Sequence, residues 1–241
     1  TNGRGHGVNM KLNQYKNNWG WSFIGTVKKR GDQHSPDYFL NNTGMQEYNV
    51  AIQFTRRMRN NIRFNFYASS FNSTIGILRG SHIGNISDLK EAFNRQEPFF
   101  TESKFSYQIE APRQEVGHHL IKSHIRITRS SETWFDLTLA GQWNDREEYD
   151  VRRGGRTNTP SLSLRKYSIF SEAKLRHKLW QDWSLKSGVQ FVSSDNENNP
   201  ETGILPLIPD HDEVQTGVYV LLQRVTSSNN LVMGVRYDHV F

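Results

Sequence analysis

Apolar and polar side chains alternate in ten separate segments of this 241-residue chain. In the segment 134–144, Phe135, Leu137 and Leu139 share one face while Asp136 lies on the other. Because side chains point to opposite sides of a strand with a period of two, this pattern predicts a β-strand with one apolar and one polar face. Its recurrence along the chain predicts an all-β fold.

The connections between these segments alternate strictly between short and long. The short ones fall around residues 16–18, 57–61, 129–133, 178–182 and 226–230, and the long ones around 30–43, 77–112, 149–163 and 195–213. Outer-membrane β-barrels combine short periplasmic turns with long extracellular loops. The order therefore predicts an antiparallel up-and-down transmembrane β-barrel segment of about ten strands. A soluble β-sandwich shows the same alternation residue by residue and remains the alternative.

Most of the tryptophans lie beside the short connections. They are Trp19, Trp21, Trp134, Trp180 and Trp183. Tryptophan is enriched at membrane–water interfaces, where its ring lies at the level of the headgroups. We therefore expect these five side chains to form a girdle at the periplasmic interface.

The composition limits how such a chain could cross a membrane. Hydrophobic residues make up 35% of it, the mean hydropathy is −0.73, and no apolar run approaches the ~18 residues of a membrane helix. If the chain spans a bilayer, a closed barrel is the structure that can do so, because it pairs every backbone polar group internally. No cysteine is present, which excludes disulfides and thiolate sites. The net charge of +6 favours an anionic partner, such as lipopolysaccharide or an anionic small ligand.

Several motifs resemble those of TonB-dependent outer-membrane receptors, particularly the Bacteroidetes type. They are NNTG at 41–44 with YNVAIQ at 48–53, RGSHIGN at 79–85, APRQEV at 111–116 with HHL at 118–120, VRRGGR at 151–156 and NPETGILP at 199–206. The resemblance extends over nearly the whole chain and rests on the order of the motifs.

The resemblance implies a barrel of about 22 strands with an N-terminal plug, which imports a scarce nutrient using the TonB, ExbB and ExbD system. No plug, TonB box or signal peptide is recognisable in residues 1–241. We therefore interpret the whole chain as an internal β-barrel segment of a receptor in the bacterial outer membrane. The nutrient that we expect is an iron chelate (siderophore) or haem, and TonB, ExbB and ExbD would act through the missing N-terminal region.

Two long loops carry candidate ligand-binding residues. Arg152, Arg153 and Arg156 flank two glycines, and guanidinium groups bind carboxylates or phosphates bidentately. A solvated loop that contacts lipopolysaccharide phosphates is the alternative for these arginines.

The loop 77–112 adds four further candidates, Arg79, His82, Phe99 and Phe100. Its aromatic side chains could line a ligand mouth or pack the loop onto the rim. The same loop is long enough to hold a helix, and Ser87 is a suitable N-cap for it.

The chemistry of the remaining residues indicates binding rather than catalysis. No nucleophile and base are arranged for a reaction, and His118, His119 and His124 do not have the spacing of a shared metal site. We expect no catalytic residue, no cofactor, no bound metal and no nucleic-acid partner. The alternative function is a soluble or surface β-sheet module that binds carbohydrate.

Overall fold

The computed structural model describes residues 2–59, 61–81, 83, 85–152, 154 and 156–241. Its strands are β1 (His6–Lys16), β2 (Trp19–Arg30), β3 (Gln33–His34), β4 (Phe39–Leu40), β5 (Met45–Arg59), β6 (Ile62–Gly76), β7 (Thr101–Glu102), β8 (Arg113–Ser130), β9 (Thr133–Tyr149), β10 (Leu162–Lys178), β11 (Trp183–Asn198), β12 (His211–Val225) and β13 (Asn230–Val240). One α-helix, α1, spans Ile86–Asn94. Among the described residues, no helix has the length and apolar character needed to cross a membrane.

The long strands form one antiparallel sheet. Its order within the described ranges is β1-β2-β5-β6-β8-β9-β10-β11-β12-β13, so each long strand pairs with the long strands next to it in sequence. This is the up-and-down topology that the sequence predicts. The three short strands form a separate small sheet in the order β3-β4-β7.

The connections confirm the alternation of lengths. Short turns join β1 to β2, β5 to β6, β8 to β9, β10 to β11 and β12 to β13, and the long connections are 31–44, 77–112, 150–161 and 199–210. Because neighbouring strands are antiparallel, all the short turns lie at one end of the sheet and all the long loops lie at the other.

The two faces of the sheet show an inverted burial pattern. Leu139 and Ile169 lie on the apolar face and are 50% and 60% exposed, whereas Asp136 and Glu172 lie on the opposite face and are only 5% and 9% exposed. Because side chains crowd together on the inner side of a curved sheet, we call the apolar face convex and the polar face concave. A water-soluble protein buries apolar side chains and exposes charged ones. This sheet does the reverse, as expected for a wall with lipid outside and a polar lumen inside.

The sheet also lacks the apolar core of a soluble domain. Among the described residues, Ala111 and Pro112 are the apolar side chains that are buried. The accessible surface is 16275 Å², against about 11,000 Å² for a folded soluble monomer of 28.0 kDa. A β-sandwich would place a second layer over this sheet and bury its apolar face, and the described residues form no such layer.

We predict that a charge is costly on the convex face and tolerated on the concave face. Leu139→Arg places a cation midway along the apolar face of β9 and is expected to reduce the free energy of unfolding in lipid bilayers by ~2–4 kcal/mol. Gln142→Arg is the matched control, because Gln142 lies on the concave face of the same strand. Denaturant titration in bilayers, followed by tryptophan fluorescence, measures both. Equal losses for the two variants would contradict the assignment of the faces.

Candidate ligand-binding site at the loop end

Asn42 joins the first two long loops. Its side chain is 5% exposed, and its Nδ2 lies 2.9, 3.1 and 2.8 Å from the carbonyl oxygens of Ile77, Glu110 and Pro112, to which it donates. Its Oδ1 accepts from the backbone N–H of Glu110 at 2.8 Å. The backbone of Asn42 has φ +59°, in the left-handed region that asparagine tolerates better than most residues. This one side chain fixes both ends of the loop 77–112.

Asp32 joins the same two loops from a second point. It is 1% exposed, and its carboxylate accepts from the backbone N–H groups of Thr43 at 3.2 Å and Ser106 at 3.1 Å. Burial raises the pKa of Asp32, and these N–H groups oppose that rise. Asp32 and Asn42 together hold the first two long loops in a fixed arrangement.

An aromatic cluster lies against this junction. Phe105 packs edge-on against Tyr107 at 4.7 Å and against Phe39 at 5.6 Å between ring centroids. The Arg4 guanidinium lies 4.4 Å from the centroid of the Phe105 ring. These aromatic side chains pack the loop onto the rim, one of the two roles expected for aromatics in this loop.

A second cluster brings three of the predicted residues together. The Arg79 guanidinium lies 4.5 Å from the ring centroid of Phe100, and that of Arg95 lies 4.4 Å from Phe99. The two rings are 6.3 Å apart. Arg95 also forms an ion pair with Glu91 at 3.1 Å, whereas Arg79 has no ion pair among the described residues. Arg79 beside two adjacent rings suits a planar anionic ligand. We refer to these four residues as the arginine–phenylalanine cluster.

Helix α1 begins earlier than the sequence suggested. Asn85 is its N-cap and accepts from the backbone N–H of Asp88 at 2.8 Å, while its Nδ2 donates to the Asp88 carboxylate at 2.9 Å. The prediction of Ser87 as the cap is wrong by two residues, because Asn85 is the residue whose side chain accepts from the first turn.

The remaining two long loops are joined by Arg152. Its Nη1 donates to the carbonyl oxygen of Thr202 at 2.9 Å. Arg156 lies nearby, with its Nη1 3.5 Å from the position that a Cβ on Gly203 would occupy. A cavity of about 350 Å³ lies between these loops. Arg152 therefore fastens one loop to another, and its role toward a ligand stays a prediction.

Two of the predicted ligand residues, His82 and Arg153, lie outside the described residues. Arg79, Phe99 and Phe100 form one group on the loop 77–112, and Arg152 and Arg156 form another on the loop 150–161. Sequence reasoning missed Asp32, Asn42 and Arg95. The clustered side-chain amides of the NNTG motif are the signal that could have indicated Asn42.

The predicted tryptophans all lie at the short-turn end. Trp19 and Trp21 open β2, Trp183 opens β11 and Trp180 lies in the turn before it. Trp134 differs from these, because it has the strand parity of Asp136 and its ring lies 4.5 Å from the Arg126 guanidinium. Its ring is thus directed to the concave face, whereas the girdle role of the other four stays a prediction.

A pair of stacked aromatic side chains lies on the convex face toward the long-loop end. The rings of Trp143 and Tyr167 stack at 5.8 Å on neighbouring strands. From Phe135, the first apolar residue of β9 on the convex face, to Trp143 the strand advances about 26 Å, or about 20 Å along the normal of a bilayer at a tilt of ~40°. This fits within the ~25 Å apolar band of outer-membrane barrels.

No protein-family model and no curated protein sequence matches the chain. Solved structures do match. The ferric enterobactin receptor PfeA from Pseudomonas aeruginosa superimposes with a TM-score of 0.63 at 12% identity, over 98% of this chain and 37% of the receptor. The ferric-catecholate import receptor Fiu from E. coli K12 superimposes with a TM-score of 0.67 at 12% identity, over 98% of this chain and 42% of Fiu. The siderophore receptor PirA from Acinetobacter baumannii superimposes with a TM-score of 0.63 at 9% identity, over 98% of this chain and 36% of PirA.

These similarities establish the fold. The chain has the architecture of the barrel wall in TonB-dependent receptors, as the sequence resemblance implies. It spans about two fifths of the length of the receptors that it matches.

We predict that Asn42 holds the loop 77–112 in place. Asn42→Gly keeps the left-handed backbone accessible but leaves the buried carbonyl groups and the Glu110 amide without their partner, at about 1–3 kcal/mol for each group. Hydrogen exchange at the Glu110 amide should therefore accelerate about tenfold or more. Asn41→Gly is the control, because Asn41 makes one exposed hydrogen bond, to Glu102 at 3.1 Å. Equal exchange rates in the two variants would contradict the role of Asn42.

Proposed function

We propose that this chain is an internal portion of the barrel of an outer-membrane receptor that takes up an anionic ferric chelate. The inverted sheet carries the proposal, because an exposed apolar convex face requires lipid and a polar concave face suits a solute pathway. Up-and-down pairing places every long loop at one end, where a ligand arriving from outside is captured.

The loop end supports an anionic ligand with aromatic or planar groups. The arginine–phenylalanine cluster offers the Arg79 guanidinium for an oxyanion and two rings for stacking. A ferric catecholate combines both properties, since its rings are planar and its oxygens carry negative charge. Fiu is named as a ferric-catecholate import receptor, PfeA as a ferric enterobactin receptor and PirA as a siderophore receptor. Haem shares the planar anionic character and is the second ligand to test.

The partners follow from this role. Lipid would cover the convex face and lipopolysaccharide would surround its loop end, where the net positive charge suits phosphates. In the complete receptor, TonB, ExbB and ExbD would supply energy through a region outside these 241 residues. The Bacteroidetes origin suggested by the motifs belongs to the same proposal.

We predict that the arginine–phenylalanine cluster contributes directly to chelate binding. In the full-length receptor, Arg79→Gln combined with Phe100→Leu should weaken binding of ferric enterobactin about tenfold or more, because a charge-assisted contact and a stacking surface are lost. Arg129→Gln, at the short-turn end, is the control and should bind as the wild type does. Titration in detergent, followed by quenching of tryptophan fluorescence, provides the dissociation constants.

The same titration with ferric citrate, haem and a neutral maltooligosaccharide identifies the ligand class. Binding that depends on charge should weaken as salt is raised. Failure of the wild-type receptor to bind any ferric chelate or haem, together with binding of the neutral sugar, would overturn the proposal in favour of a carbohydrate-binding role.

We also predict the orientation of the wall. Protease added to intact cells should cut near Gly154 or Gly203, which lie in long connections with φ +74° and +66°, and should spare the turns near residue 60 and Ser228. Peptide mapping by mass spectrometry identifies the sites, and lysed cells serve as the control. First cleavage at the short turns would reverse the orientation.

A further inference from the structure

Three arginines form a row across neighbouring strands at the end of the sheet opposite the loops. Arg57 of β5 pairs in register with Arg63 of β6, and Arg63 pairs in register with Arg126 of β8. Side chains directly opposite each other on antiparallel strands have Cβ atoms about 4.5–5.5 Å apart, and like charges in that position repel. Two consecutive arginine–arginine pairs are therefore unfavourable by themselves.

The row is neutralised at one end only. Asp136 accepts from Nε and Nη2 of Arg126 at 2.7 and 2.6 Å. Farther along the same level, Lys174 pairs with Glu172 at 2.7 Å. Among the described residues, no carboxylate lies within ion-pair distance of Arg57 or Arg63, and both side chains are exposed. In this row, Arg126 and Lys174 are therefore paired with carboxylates, whereas Arg57 and Arg63 are not.

The open arginines line a cavity. Its volume is about 280 Å³, and its lining consists of Arg57, Asn61, Ile62, Arg63, Arg126 and Thr128. The register of β5 against β6 shifts between Arg57 and Arg59, and such bulges redirect side chains near functional sites. The cavity lies at the short-turn end, where a solute crossing the lumen from the loops would leave.

We propose that Arg57 and Arg63, with Arg126 beside them, form an oxyanion-binding site at the exit of the lumen. Two open guanidinium groups side by side suit a carboxylate or a catecholate oxygen pair, and a bound anion removes their repulsion. The role of this site in transport rests on the proposed function, because the oxyanion that it would bind belongs to the chelate captured by the loops. Its ability to bind an oxyanion is independent of that role.

Citrate tests the site directly. In the full-length receptor, citrate should raise the midpoint of thermal unfolding relative to sodium chloride at equal ionic strength, because a ligand that binds the folded state stabilises it. The variant Arg57→Gln with Arg63→Gln should lose most of this shift, and Arg57→Lys with Arg63→Lys should keep part of it. Arg79→Gln at the loops should retain it.

A matched control removes two other arginines from the same end. Arg56 has the strand parity of Phe54 on the convex face and Arg129 adjoins a turn, so Arg56→Gln with Arg129→Gln should keep the citrate shift. No shift in the wild type, or an equal shift in both double variants, would overturn the site.

Uptake of ⁵⁵Fe-labelled ferric citrate and ferric enterobactin by cells tests the transit role. The Arg57→Gln, Arg63→Gln variant should take up iron about tenfold more slowly than wild type while its equilibrium binding at the loops is unchanged. Unchanged uptake would overturn the transit role. A wild-type receptor that binds citrate at this site but no ferric chelate would instead refute the proposed function, so the two failures are distinguishable.

Discussion

Backbone pairing between adjacent long strands is the interaction on which this structure depends. The described residues bury almost no apolar side chain, so hydrophobic packing within the chain cannot hold the sheet together. The continuous antiparallel ladder pairs the N–H and C=O groups of the eight inner long strands of the described sheet, and those on one side of the edge strands β1 and β13. That is the condition for placing backbone in hydrocarbon, where each unpaired group costs several kcal/mol. The backbone hydrogen bonds form equally well whichever face of the sheet meets water. The apolar face can therefore be the exposed one.

The concave face then permits charges that a soluble core would reject. Glu172 accepts from Gln190 at 2.7 Å in addition to its ion pair with Lys174, and Asp136 is held by Arg126 and lies 3.4 Å from His124. Buried charges are tolerated when their lone pairs are used in this way. Arg57 and Arg63 differ from Arg126 in the same row, because no carboxylate of the described residues pairs with them.

The sequence predicts those features that depend on local pattern. Period-two alternation predicts the positions of the strands, and the lengths of the connections predict that the two ends of the sheet differ. Features that depend on contacts between distant residues could not be predicted, since Asn42 acts on carbonyl groups 35 to 70 positions away. The Arg57–Arg63–Arg126 row depends in the same way on the register between strands. Trp134 is different, because its parity with Asp136 is visible in the sequence and indicates the concave face.

The two edge strands show why this wall needs neighbours. Within the described residues, β1 and β13 each pair on one side only, and both are exposed along their whole length. An open edge presents a row of unpaired N–H and C=O groups that attracts another strand, and in lipid such an edge is not tolerated. In a membrane, β1 and β13 must therefore pair with further strands or with each other. Either pairing would remove the open edges and complete the internal hydrogen bonding that hydrocarbon requires.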